Sequence, residues 1–194
     1  MNNNRTALLV LDLQKGIMAH FGDEAPSYLA RAAHTINTAR SAGVKVIYVT
    51  TTFRPGHPDV SKNNLSFARL SAMGGNGFIE GDPSVAISPE VKPVEGDILV
   101  VKKRVSAFSG SDLDLVLRSL GVDSLVLAGV ATSGAVLSTI RCAADLDFRL
   151  TVLADLCLDR DPEVHRVLTE KIFPKQGEVL SAEQWVQGLA GGRE

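Results

Sequence analysis

The sequence predicts an α/β protein of three layers, with helices on both faces of a parallel sheet, and three observations predict it. Short, nearly continuous apolar runs rich in β-branched residues recur along the chain, as in strands covered on both faces. Helical patterns closed by glycine stand between them, and this alternation implies right-handed crossovers. The chain has 194 residues, 45% of them hydrophobic, which suits one domain spanning residues 1–194 with a full core of its own.

The elements follow in order. "ALLVLDL" (7–13) is the first expected strand, and its apolar run of about six residues is too short for a signal peptide or a bilayer span. "SYLARAAHTINTARSAG" reads as a helix stopped by Gly43, and "VKVIYVTT" (44–51) as the second strand. Residues 52–96 then break the rhythm with most of the prolines and many of the glycines, and a loop of that length is expected to form a pocket wall, a lid or part of a subunit contact. "DILVVKK" (97–103) is the third strand, and "SDLDLVLRSLG" a helix with Ser111 as N-cap and Gly121 as stop. "SLVLAGV" (124–130) is the fourth strand and runs into the helical "SGAVLSTIRCAADLD"; "RLTVLAD" (149–155) is the fifth, and "GEVLS" (177–181) a short sixth.

The net charge of −2 supplies no basic field for nucleic acid or for an anionic membrane, so the expected partner is a small molecule or another protein. Two cysteines, Cys142 and Cys157, stand in no paired spacing, which points to buried thiols in a reducing compartment, the cytoplasm.

Ligands of open α/β sheets bind beyond the carboxyl ends of the strands, so polar residues there are the chemical candidates. Asp12 interrupts an apolar strand and is followed by Gln14. Burying a carboxylate costs several kcal/mol unless it is paired, so Asp12 reads as functional or, alternatively, as a loop cap. Lys102 follows four apolar residues and would orient Asp12 if it points inward; strand alternation sends Lys102 and Lys103 to opposite faces, so only one can. In the "GVATSGAV" turn, backbone N–H groups at a helix start offer a site for an anion or a developing oxyanion, the alternative being a plain connection with Ser133 as N-cap. Ser133 lacks a G-x-S-x-G elbow and a nearby histidine. Arg54 is either a clamp for a substrate carboxylate or a surface arginine. His20, His34, His57 and His165 show no metal-ligand spacing, His57 with Asp59 being the one loose candidate.

Taken together, "LLVLDLQKG" and "DILVVKKRVSAFSGSDLDLVLRSLGVDSLVLAGVATSGAVLSTIRCAADLDFRLTVLAD" resemble the isochorismatase-like cysteine hydrolases, over roughly residues 5–185. The resemblance implies a Rossmann-like α/β/α sandwich with a six-stranded parallel sheet, and a site made of Asp, Lys and usually Cys. It implies that Asp12 is the catalytic aspartate and that Lys102, four residues before the Ser of "SAF", is the catalytic lysine. It also implies a non-proline cis peptide between Val130 and Ala131. The family cysteine aligns with Ala135, so the acyl-enzyme route of the amidases lacks its nucleophile here. True isochorismatases also lack it and, as the resemblance implies, hydrolyse a vinyl ether by acid catalysis.

The expectation is therefore a cytoplasmic hydrolase of a small polar metabolite, working by Asp12 and Lys102 with no metal and no cofactor. Gln14, Arg54 and the turn residues Val130, Ala131, Thr132, Ser133 and Gly134 are expected to contact substrate, and Ala135 marks the substituted nucleophile position. A homo-oligomer, dimer or tetramer, is expected from family habit. The alternatives are a non-catalytic binder that kept the pocket, and an amidohydrolase using water or Ser133.

Overall fold

Strand β1 (Thr6–Leu11) is buried at every position, so it lies at the centre of the sheet. The computed structural model describes residues 3 to 72 and 78 to 191; residues 73 to 77 of the long insertion fall outside that range. The other strands are β2 (Lys45–Thr51), β3 (Ile98–Lys102), β4 (Ser124–Val130), β5 (Arg149–Leu158) and β6 (Glu178–Leu180). All pair in parallel, in the order β3-β2-β1-β4-β5-β6, as the three-layer reading requires.

Seven helices are described: α1 (Lys15–Met18), α2 (Glu24–Ser41), α3 (Leu65–Ala72), α4 (Leu113–Ser119), α5 (Leu137–Asp145), α6 (Pro162–Val167) and α7 (Ala182–Gly191). Alternation along β1 divides the core in two. Ala7, Leu9 and Leu11 face the layer of α4 and α5, against Leu117 and Ile140. Leu8 and Val10 face the opposite layer, against Tyr28 and Leu29 of α2 and Trp185 of α7. Each fully buried leucine contributes roughly 2 kcal/mol, so both faces of the central strand hold the layers together. Among the described residues no helix is long and apolar enough to cross a membrane.

Several boundaries differ from the sequence expectation. β1 stops at Leu11, so Asp12 and Leu13 lie beyond the strand; Asp12 turns the chain at φ 55° while its N–H still bonds Val49 O at 2.8 Å. β5 runs on to Leu158 and takes Cys157 into the sheet, where burial pushes the thiol up to about 12. Cys142, expected to pack, is only half-buried on α5. Ser111 sits one residue ahead of the cap position of α4, its hydroxyl accepting from Leu113 N at 3.3 Å. The start of the helix after β4 is a wide π-type turn, Thr132–Val136, whose cap position is Ala131 and not Ser133. The insertion is not a bare loop: it holds α3 and two 3₁₀ turns, Pro83–Val85 and Pro89–Val91. Helix α6, absent from the sequence reading, has clear signals, since Asp161 accepts from Glu163 N and Val164 N ahead of Pro162.

Candidate active site

The chain reverses its direction of travel across the sheet between β1 and β4, which opens the crevice at their carboxyl ends. Gly129 lets the two strands close there. It pairs with Leu11, and a Cβ at 129 would stand 2.1 Å from Leu11 O, closer than any side chain tolerates. The next residues, Val130 and Ala131, join through the non-proline cis peptide implied by the resemblance.

Register then explains how Asp12 meets Lys102 across an intervening strand. Leu11 pairs with Val49 of β2, and two residues on, Thr51 pairs with Lys102 of β3. Thr51 thus lies between the carboxylate and the ammonium. Lys102 Nζ stands 2.8 Å from Asp12 Oδ2 and donates to Thr51 Oγ1 at 2.6 Å and to Arg104 O at 3.2 Å. Thr51 Oγ1 in turn donates to Asp12 Oδ1 at 3.0 Å. Asp12 and Lys102 are only 4% and 2% exposed, so the pair is desolvated and depends on these contacts. Burial raises the Asp12 carboxyl above its ordinary value, although Lys102 and Thr51 both pull it down.

The two lysines part as strand alternation requires. Lys103 turns to the other face, bonds Thr52 O and lies 3.6 Å from Asp59. Arg54 goes to the same carboxylate, at 3.2 Å, with its side chain largely exposed. The insertion is thus pinned to the end of β3 through Asp59, and Arg54 is held at the surface by its own chain. Gln14, expected at the substrate, is fully buried; its amide donates to Thr51 O and Val85 O and accepts from Thr51 N. Its amide protons are spent on tying β1 to β2 and to the insertion, so the residue shapes the site from beneath.

The turn after β4 faces the same layer, for Gly134 lies against Val105, just beyond Lys102, and Ala135 is buried in the cluster that holds Leu11, Val49 and Val100. Its polar groups are largely committed. Ser133 N donates to Asp159 Oδ2 at 2.7 Å, while the N–H groups of Gly134 and Val136 bond Ala131 O. One of the N–H groups expected to offer a site for an anion, that of Ser133, is therefore taken by the protein's own carboxylate. Thr132, fully buried, bonds His165 Nδ1 at 2.9 Å. Ser133 is exposed, and among the described residues no histidine bonds its hydroxyl, so it has no activating base.

Sequence reasoning missed Thr51, Asp159 and His165. Thr51 becomes visible only once β2 is known to separate β1 from β3; Asp159 and His165 follow a strand whose end was set three residues too early. A cavity of about 640 Å³ adjoins the turn, lined by His20, Phe21, Glu24, Asp159, Arg160 and His165 among others. A larger one, about 810 Å³, opens at the amino ends of β1, β4 and β5, the end remote from Asp12 and Lys102, where the sheet geometry places no crevice. Among the described residues no group of three or more His, Cys, Asp or Glu is placed to hold a metal ion.

A family model described as Isochorismatase domain matches residues 6–184. The chain is 32% identical over 183 residues to an uncharacterized isochorismatase family protein of Bacillus subtilis, YwoC, covering 94% of this chain and 93% of that one. It is 30% identical over 214 residues to the ureidoacrylate amidohydrolase RutB of Stutzerimonas stutzeri, covering 100% and 86% of the two chains. Among solved structures, a cysteine hydrolase from Pseudomonas syringae superposes with a TM-score of 0.88 over 98% of this chain and 95% of its own, at 24% identity, which is a likeness of fold.

Proposed function

The chain belongs to the isochorismatase family of hydrolases, and from that premise we propose that it hydrolyses an acid-labile bond of a small polar metabolite, with Asp12 as general acid and no covalent intermediate. The observation that supports this reading most is the buried Asp12, Thr51 and Lys102 cluster set beside a turn with Ala135 where a thiol would stand. A carboxyl whose burial raises its pKa keeps a proton to give at higher pH than an ordinary aspartate.

For an enol ether the steps balance as follows. The neutral Asp12 carboxyl protonates the terminal alkene carbon, and the π electrons form the new C–H bond, leaving an oxocarbenium ion. Water adds to that ion and returns a proton to Asp12. The hemiketal then collapses to a carbonyl compound and an alcohol. Lys102 stabilises the Asp12 carboxylate while it exists, and Gln14 and Thr51 hold the frame. Arg160 in the adjoining cavity is the cation placed to meet a substrate carboxylate, with Glu24 and Asp159 lining the same space. The unpaired thiols Cys142 and Cys157 fit a reducing compartment.

A second reading, hydrolysis of an amide by water, is favoured by the likeness to an amidohydrolase. One experiment separates the two. Isochorismate, simpler vinyl ethers and a panel of small amides are incubated with the enzyme in D₂O. Ether turnover placing one solvent deuterium on the product carbon is the expected result; turnover of amides alone would move the protein to the second reading. No turnover of any compound, with ligand binding intact, would leave a binder.

We further propose a homo-oligomer, with the outer face of edge strand β3 at the contact, because Leu99 and Val101 are 55% and 38% exposed there. Leu99→Glu is expected to lower the mass measured by light scattering to that of the single chain. A wild type that is already monomeric at micromolar concentration would end the idea.

A further inference from the structure

We propose that Thr51 is a positioning residue of the acid: its hydroxyl, aligned by Lys102, fixes the Asp12 carboxyl and governs how readily that group releases its proton. The proposal deepens the general-acid reading and rests on it. Its basis is the direction of two hydrogen bonds. An ammonium group has donors and no acceptor, and Lys102 Nζ directs its three protons to Asp12 Oδ2, Thr51 Oγ1 and Arg104 O. Thr51 Oγ1 must therefore accept from Lys102, which leaves its single proton for Asp12 Oδ1. Neither partner has water to turn to, for Thr51 is itself only 5% exposed.

The arrangement holds both carboxyl oxygens at once, Oδ2 by the ammonium and Oδ1 by the hydroxyl. Rotation about the Asp12 side chain would break one contact or the other, so the carboxyl keeps one plane toward the crevice. A donor to the ionised carboxylate also favours ionisation, opposing the effect of burial. Lys102 is the charged group that acts on Asp12; Thr51, from the strand between them, is the neutral one. Thr51 comes from β2 at the register position opposite Lys102, and its hydroxyl accepts from one neighbour and donates to the other through a single oxygen.

The test needs no substrate. The side-chain carboxyl carbon of Asp12 is followed by NMR against pH in the wild type, Thr51→Val and Thr51→Ser. Thr51→Val, which keeps the shape and removes the hydroxyl, is expected to weaken the acid roughly tenfold, the scale of one hydrogen bond to a charged group. Thr51→Ser is expected to titrate close to the wild type. A merely structural threonine would lower the melting temperature of Thr51→Val and leave the Asp12 titration in place, and that result overturns the proposal. Should Thr51→Val not fold, the wild type decides: a slowly exchanging Thr51 hydroxyl resonance that moves as Asp12 titrates supports the role, and one that ignores Asp12 refutes it. Because ionisation is read directly, a shifted titration together with absent ether turnover would uphold the role of Thr51 and refute the proposed reaction.

Discussion

Asp12→Asn is expected to reduce turnover of any accepted ether by about 10²- to 10⁴-fold, the span that general acid catalysis supplies. Asparagine has the same shape and can still accept from Thr51, so substrate binding should persist. It has no acidic proton and no charge, and Lys102 is left buried without its counter-ion. A variant that turns over within tenfold of the wild type would remove Asp12 from the chemistry.

The pH dependence follows from the direction of the Asp12 shift. Its folded pKa is raised, chiefly by burial, so the neutral acid is the form present below that value. Activity that needs this form should be full on the acid side and fall as pH rises through the raised folded pKa. Stability takes the same sign. Between the unfolded and folded pKa values the folded state keeps a proton that the unfolded chain releases. The contribution of Asp12 is therefore complete below the unfolded value and is lost as pH rises through the folded one. Profiles of kcat/KM and of unfolding free energy against pH check the two together.

Gly129→Ala is expected to cost the protein about 4 kcal/mol or more, among the largest effects of any single substitution. The Cβ it adds would fall 2.1 Å from Leu11 O and 2.7 Å from Leu11 N, and φ at 138° suits glycine alone. Backbone on the most buried strand would have to move, and the residue after Leu11 is Asp12. For a chain of this length that loss lowers Tm by roughly 10 °C. An alanine variant melting within two or three degrees of the wild type would show that the approach of β1 to β4 is not the constraint inferred.

The strands were legible because apolar runs in a parallel sheet carry their own signal; β4 falls where "SLVLAGV" stands, and Gly43 and Gly121 end their helices in left-handed conformations as read. Asp12 and Lys102 were legible too, since a charge inside an apolar run is rare for an energetic reason. What was not legible depends on strand order. Nothing in "VTTTF" tells which threonine lies between the two charges until β2 is placed between β1 and β3. Gln14 and Arg54 show the other limit: residue type named them as substrate contacts, but backbone carbonyls take the protons of the first and Asp59 engages the second. Partners of this kind are a property of the folded neighbourhood.

The interposed strand also bears on how the site comes into being. Asp12 follows β1 and Lys102 ends β3, two strands that do not touch; each of them is paired with β2 instead. Only with β2 paired to β1 and β3 paired to β2 does the register bring the two groups together. The pair is dehydrated only in the act that completes this half of the sheet, when its partner and the Thr51 hydroxyl arrive together. Completing the site and completing this edge of the sheet are therefore the same thing in the geometry: without β3 in register on β2, Asp12 has no counter-charge.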